Sequence, residues 1–451
     1  MSTRTALVAA LLLLIASPAT AAGASQRGAV VADSTAGSPS PPAAGGRDGA
    51  AEAPDPDELV ALALRNSPSV AALEARVQQA REMVRPAGAP PDPMVGLMIQ
   101  DVGFPKWTVG EEDMSMVGPE ITQGIPFPGK RGARRRAAQA EVAVRADELD
   151  RLRREVARDV RALYARLYAL DQERGALSSG RELLEMLAAT VRDRYAAGVA
   201  EQEAAVKAQL AESRLAERLD DLVAERKGLV AALNRILDQP GDAPLGRVTA
   251  LPEPQAPPLP WEAAVVGNSA EVALGRAEVQ AAERRLEAAR RELWPDLVAG
   301  AGLGLRGGKD PAVTFRMGLD LPLWSAQKQG PMIRAAERDL EAARQSLREA
   351  EAAARAEAAR LEAEWQKTDL QLARYGQAIV PQSSLALDAA RAGYLAGRGD
   401  FSTVVEDFNL WLEARAGLAR RQAERFETWA QLQSLVGASG GPQENGTGRE
   451  R

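Results

Sequence analysis

The chain has 451 residues, with 56 basic against 62 acidic side chains for a formal charge of −6, and it contains neither cysteine nor histidine. Those two zeros exclude a disulfide framework, thiolate or imidazole metal sites, histidine-assisted nucleophiles and covalently attached haem. An apolar share of 45% with only 4% aromatic residues suits long, closely packed helices better than several globular cores, and no basic aromatic stripe offers itself to nucleic acid.

In chain order, Arg4 precedes an apolar run from Ala6 to Ala16, and small residues follow at Ala19, Thr20 and Ala21. This pattern predicts a secretory signal peptide over 1–22; the run is about half the twenty or so residues a membrane helix needs. A lipid anchor would require a cysteine just beyond, and there is none. Residues 23–55, rich in Ala, Gly, Pro and Ser, read as a flexible leader, and 438–451 as a tail of the same character.

Between leader and tail the pattern is helical. Val272, Val279, Leu286 and Leu293 recur at sevens, as do Leu340, Leu347, Ala354 and Leu361, while Leu149, Leu152, Val156, Val160, Leu163, Leu167 and Leu170 alternate threes and fours. These spacings predict coiled-coil seams, with uninterrupted rods over about 131–194 and 327–391. Shorter helices are expected over about 56–85, 200–238, 261–293 and 401–436. No later stretch approaches a transmembrane helix in length, so any span must be made of strands.

An internal duplication organises the chain. Asn66, Ser67 and Val70 return as Asn268, Ser269 and Val272; Pro91 and Asp92 as Pro295 and Asp296; Tyr195, Ala197 and Gly198 as Tyr394, Ala396 and Gly397. Two repeats are expected, 56–238 and 261–437, joined by a Pro-rich connector over 239–260. Each reads helix, two strands, very long helix, tight turn, helix. In the second repeat, Leu297, Ala299, Ala301, Leu303 and Leu305 alternate with Val298, Gly300, Gly302, Gly304 and Arg306, and Val313, Phe315, Met317, Leu319 and Leu321 alternate with Thr314, Arg316, Gly318 and Asp320. Strands are predicted over about 297–306 and 312–321, and less cleanly over 94–102 and 115–125. Each has about the length a tilted strand needs to cross a bilayer, and Phe127, Trp294 and Trp324 stand where an interfacial girdle would lie. Four strands cannot enclose a lumen, so several copies must contribute; three would supply twelve.

The duplicated layout, the run Gln123, Gly124, Ile125, Pro126, Phe127, Pro128, Gly129, Lys130, Arg131, and the paired turns at Tyr195/Gly198 and Tyr394/Gly397 resemble the TolC-like outer membrane efflux protein family. The resemblance covers roughly residues 56–437. It implies a mainly α chain with a membrane β part: a homotrimer whose four strands per chain form a twelve-stranded barrel in outer membrane lipid, continued by an α-helical tunnel through the periplasm. It also implies a periplasmic adaptor and an inner-membrane pump of the resistance-nodulation-division type as partners. The 123–131 run is most similar to the branch serving heavy-metal and cation exporters, many of whose members carry the anchoring cysteine this chain lacks. The resemblance further places adaptor-docking tips at Gly198, Val199, Gly397, Arg398 and Gly399. The family's acidic aperture falls nine and twelve residues after the second tyrosine, here Thr403 and Glu406, with Asp400 and Asp407 nearby.

On this reading the chain is a passive conduit, with no catalytic residue, cofactor or resident metal. The alternative is a periplasmic coiled-coil adaptor or scaffold, which would share the hairpins and the secretion signal. Met94, Met98, Met114 and Met116 suggest contacts to soft cations, but they are read as falling on both alternating faces with no other ligand type beside them, and hydrophobic filling accounts for them better. Lys130, Arg131, Arg134, Arg135 and Arg136 are compatible with anionic head groups or with a solvated helix start.

Overall fold

The computed structural model describes residues 52–198, 201–256 and 259–437. The expected signal peptide, nearly all of the leader, the tail and Val199 lie outside the described residues.

Helices α1 (Pro56–Asn66) and α2 (Pro68–Ala87) precede strands β1 (Met94–Gln100) and β2 (Met116–Ile125). The long α3 (Lys130–Ala196) and the returning α4 (Gln202–Ile236) complete the first half. The second half repeats the order as α5 (Glu262–Asn268), α6 (Ala270–Arg291), β3 (Asp296–Arg306), β4 (Lys309–Asp320), α7 (Gln329–Arg374), a π-turn (Tyr375–Ile379), α8 (Val380–Leu395) and α9 (Phe401–Val436). No helix among the described residues is long and apolar enough to cross a membrane.

Three local departures from the sequence expectation have clear causes. The stretches expected as single helices over 56–85 and 261–293 are each broken at a serine. Ser67 and Ser269 take the same extended backbone (ψ 119° and 127°) and are buried at equivalent places, which gives the duplicated Asn-Ser its structural meaning. The second long rod is not wound uniformly. Pro381 has no N–H to offer the preceding turn, and just ahead of it the Val380 N–H reaches back five residues to the Tyr375 carbonyl, forming the π-turn. Strand β1 is shorter than expected, at 7 residues.

The heptad residues do form seams. Leu149, Val156, Val160, Leu167 and Leu170 on α3 are buried, as are Val272 and Leu286 on α6 and Leu340, Ala354 and Leu361 on α7. Leu293, beyond the end of α6, is exposed. Helix α3, 67 residues and about 100 Å long at 1.5 Å per residue, is the spine: α2, α6 and α9 pack along it. One apolar cluster joins α1, α3 and α4, and another joins α3, α4, α8 and α9 toward the hairpin turns. The Pro-rich connector is pinned to this body. Asp171, 2% exposed, pairs with Arg226 at 2.9 Å and accepts from the Val248 N–H at 2.9 Å, while Arg226 donates to the Leu245 and Gly246 carbonyls.

The four strands form one antiparallel sheet in the order β1-β2-β3-β4. Its register sets Val95 opposite Ile121, Ile121 opposite Ala301 and Ala301 opposite Phe315, one apolar row across all four strands. The next row sets Gly96 opposite Glu120, Glu120 opposite Gly302 and Gly302 opposite Thr314 on the other face.

Candidate functional site

The sheet is the first functional element. Its apolar face carries large side chains with nothing from the described residues over them: Val95, Leu97, Ile99, Leu303, Val313, Phe315, Met317 and Leu319 are all exposed, Phe315 to 78%. Burying such a face is worth roughly 25 cal/mol per Å², so a contiguous bare face marks an interaction surface. The opposite face is built of glycine and charge. Arg316 pairs with Glu120 at 3.3 Å, reaching across the glycine-lined middle of β3. Gly118 allows the closest approach, since a Cβ there would lie 1.8 Å from the Leu303 carbonyl oxygen.

This face corrects the expectation for the methionines. Register places Met94, Met98 and Met116 all on the glycine-and-charge side, opposite Thr122, Gly118 and Gln100. Met98 and Met116 are buried and lie against Gly302 and Gly304, where they fill space that side chains on β3 would otherwise take. Met94 and Met114 are exposed. Among the described residues no group of three or more acidic side chains is disposed to hold a metal ion.

At one end of the sheet the strands pass into helices through the 123–131 run. The Gly129 backbone is left-handed (φ 96°), a conformation that favours glycine. Lys130 is buried, 3% exposed, and its ammonium lies 2.8 Å from Asp296 and 3.6 Å from Glu292. Asp296 also accepts from the Phe127 N–H at 2.8 Å, and Phe127 stacks on Trp294 with centroids 4.9 Å apart. Asp296, from the second copy of the duplicated Pro-Asp, thus joins the two halves at the strand ends. Arg134 and Arg136 pair with Glu292 and Glu287, and Arg131 donates to the Gly88 carbonyl, so most of the basic set is engaged within the chain.

The hairpin turns lie at the other end. Gly198 and Gly397 share a left-handed backbone (φ 70° and 72°), and a Cβ on either would meet nothing within 4 Å. Glycine is therefore required by backbone angle, not by crowding. The two turns are tied together. Arg194 donates to the Tyr394 and Leu395 carbonyls at 2.8 Å each, capping the end of α8, and its guanidinium lies 4.9 Å from the Tyr394 ring centroid. Tyr394 is buried edge-on against Phe401, and its hydroxyl has no hydrogen-bond partner among the described residues.

Of the aperture candidates, Asp400 flanks the start of α9, Thr403 and Glu406 are exposed, and Asp407 is half-buried. Val404, not Thr403, occupies the seam. Lys207 on α4 donates to the Ser402 hydroxyl at 3.0 Å, and Ser402 donates to Asp400 at 2.6 Å. Ser402 holds the Asp400 carboxyl below the usual carboxylate range, helped by Lys207. Glu203 keeps the Lys207 ammonium above its usual range, with Asp400 and Glu406 adding to the effect. Two adjoining grooves of about 620 and 630 Å³ share Lys207 and Ser402; Arg398 and Gly399 line the first, and Glu406 the second. Sequence reading missed Lys207 and Arg194, because neither belongs to a motif and each acts on the opposite repeat.

A strand sheet with one bare apolar face, set on coiled-coil rods that end in tight turns, defines a wall segment of a membrane channel. The chain belongs to the outer membrane efflux protein family, whose model matches residues 59–237 and 264–438. It is a family of outer-membrane channels, not of enzymes, and the match sets the adaptor alternative aside. No protein with a curated description matches the sequence. Among solved structures, the outer membrane protein VceC from Vibrio cholerae is 20% identical, with a TM-score of 0.70 over 85% of this chain and 96% of that one. The outer-membrane channel OprN is 17% identical, with a TM-score of 0.73 over 85% and 89%. CusC is 15% identical, with a TM-score of 0.70 over 85% and 92%. At these identities the likeness is one of fold: an α-helical tunnel continued by a β-barrel.

Proposed function

We infer that this chain is one third of a homotrimeric conduit that passively exports small molecules or metal cations across the outer membrane. The observation that carries the reading is the sheet: one face bare and apolar, the other glycine and charge, and two edges, β1 and β4, unpaired among the described residues. Backbone groups in lipid must be paired, so those edges join neighbouring copies, and three copies close a twelve-stranded barrel. The apolar face meets lipid, and the face with Glu120 and Arg316 lines the lumen. The long helices continue as a periplasmic tunnel. Its tips, at Gly198, Val199, Gly397, Arg398 and Gly399, receive a periplasmic adaptor coupled to an inner-membrane pump of the resistance-nodulation-division type.

Glu406, with Asp400 and Asp407 beside it and Thr403 at the neighbouring position, supplies a threefold acidic ring that favours cations at the aperture. The 123–131 run supports cation export within the family. Because the chain has no native cysteine, paired cysteines on the outward side of β1 (Leu97→Cys) and along β4 (Val313→Cys, Phe315→Cys or Met317→Cys) test closure directly. A closed ring yields dimer and trimer bands without reductant and nothing larger. Only monomer at every β4 position, or an open ladder beyond three, would overturn the reading.

A further inference from the structure

Charge is distributed unevenly along this acidic chain. The four helices that meet the sheet, α2, α3, α6 and α7, pack side by side in the order of the strands they serve. In the twelve residues of each nearest the sheet (76–87, 130–141, 283–294 and 328–339), fifteen side chains are basic and seven acidic. Around the hairpin turns the balance reverses: residues 181–212 and 388–413 hold six basic and eleven acidic side chains.

Internal pairing does not use up the basic surplus. Lys130, Arg134, Arg136, Arg284, Arg285 and Arg290 have carboxylate partners. Arg81, Arg85, Arg135, Lys328, Arg334 and Arg338 are exposed and form no ion pair among the described residues. At 1.5 Å per residue, these six fall within about 15 Å of the helix ends that face the sheet. Bilayer polar regions occupy about 5–8 Å beyond the hydrocarbon on each side, and an arginine stem lets its charge reach several ångströms along the surface. The aromatic pair Phe127/Trp294 lies between this collar and the apolar strands, the order found when a protein passes from hydrocarbon through the interface to head groups.

We propose that this collar binds the head groups of anionic phospholipids in the leaflet from which the helices emerge. The proposal rests on the barrel reading above, since it needs the apolar strands to sit in a bilayer. Phosphate chemistry suits the site: arginine binds phosphate through two parallel donors, and guanidinium groups spread over one or two Debye lengths of the surface act together. The collar fixes the depth of the barrel and gathers a charged lipid annulus around it, as the apolar band alone cannot do.

The test uses the full chain reconstituted in phosphatidylcholine vesicles carrying trace spin-labelled phosphatidylglycerol or, in parallel, spin-labelled phosphatidylcholine. Electron spin resonance reads the motionally restricted fraction of each label. The expected result is a several-fold preference for phosphatidylglycerol, falling toward parity at about 1 M salt, where the Debye length is about 3 Å. Parity is also expected in a variant with Arg81→Gln, Arg85→Gln, Arg135→Gln, Lys328→Gln, Arg334→Gln and Arg338→Gln. A triple variant at 81, 135 and 334 serves if the full set fails to assemble, and a partial loss is expected there. Equal restriction of both labels in the native chain, or a preference that neither salt nor substitution moves, would overturn the proposal. So would a change in the variant's anion-to-cation permeability with lipid preference intact, because the collar would then face the lumen. No restricted component for either label would mean that the chain had not entered the bilayer, a failure of the barrel reading itself.

Discussion

Phe315→Arg examines the membrane face at its most exposed point. Strand β4 has 12 residues, about 40 Å at 3.3 Å per residue, which a tilt near 40° reduces to about 30 Å of depth, the thickness of a hydrocarbon core. Phe315 is the seventh residue and so lies near the midplane, where arginine on a lipid-facing strand position costs about 2–4 kcal/mol. Three copies per barrel bring the penalty to about 6–12 kcal/mol per trimer, and each 1.4 kcal/mol is tenfold in an equilibrium. Gly302→Arg is the matched control. Gly302 pairs with Thr314, next to Phe315, at the same depth but on the opposite face. A Cβ there meets the Glu120 Cβ at 3.4 Å and Met98 at 3.5 Å, close to ordinary contact, with the Glu120 carboxylate at hand. The assay is the fraction of detergent-resistant oligomer on unheated gels as urea is raised before solubilisation. Phe315→Arg should lose oligomer at far lower urea than Gly302→Arg. Equal losses, or a larger one for Gly302→Arg, would show that the faces have been assigned the wrong way round.

Lys130→Met removes a buried charge that serves Asp296 and Glu292. Breaking a buried pair costs about 3–5 kcal/mol, and partial exposure of both carboxylates should reduce that to about 2 kcal/mol, with recovery in the double variant carrying Asp296→Asn, measured by thermal melting in detergent. Asp400 is held below its ordinary pKa, so the contribution of its hydrogen bond with Ser402 and its attraction to Lys207 is present above about pH 4 and lost as pH falls through the folded value. Lys207, held above its ordinary pKa, keeps its contribution until pH rises beyond about 10.4. Hydrogen exchange at 396–404 should therefore be flat from about pH 5 to 9 after correction for intrinsic rates, and Asp400→Asn should remove the acid-side change. Glu427 is the opposite case: burial raises its carboxyl above the ordinary range despite Arg166. Glu427→Gln should raise the melting temperature at pH 7, with the gain shrinking as pH falls through the folded value; a lower melting temperature at pH 7 would contradict this sign.

The seams were readable because heptads report helix faces directly. The strands of the second repeat were equally plain, since Leu297 to Leu305 and Val313 to Leu321 alternate without interruption. The first repeat was dimmer: Pro119 interrupts β2, and methionine on the glycine face resembles a core residue to any period-two reading, so the methionines read as falling on both faces although the register sets Met94, Met98 and Met116 on one. The tips were legible from the duplicated Tyr-x-Ala-Gly, whose glycines adopt the left-handed angle that the turn requires. What holds the tips together was not. Arg194 meets Tyr394 across 200 residues and Lys207 meets Ser402 across 195, and no local pattern marks a side chain whose partner lies on the other repeat. The connector shows the same limit, for its prolines announce a boundary while Asp171 and Arg226, which fasten it, look like ordinary helix charges.

An extra residue in a helical turn rotates everything beyond it by about 100° around the axis. Among the described residues that rotation occurs once, at Tyr375–Ile379 on the second long helix, and α3 has no equivalent. Its position is keyed by Gly417 on α9, where a Cβ would come within 2.6 Å of the Tyr375 ring. Between the sheet and that level, the two duplicated halves can stand as near equivalents, and three chains would approach sixfold symmetry. Past it the halves fall out of phase, and only threefold symmetry would survive to the tips of such a trimer. In the trimer proposed above, the six hairpin ends would then alternate in kind around the rim.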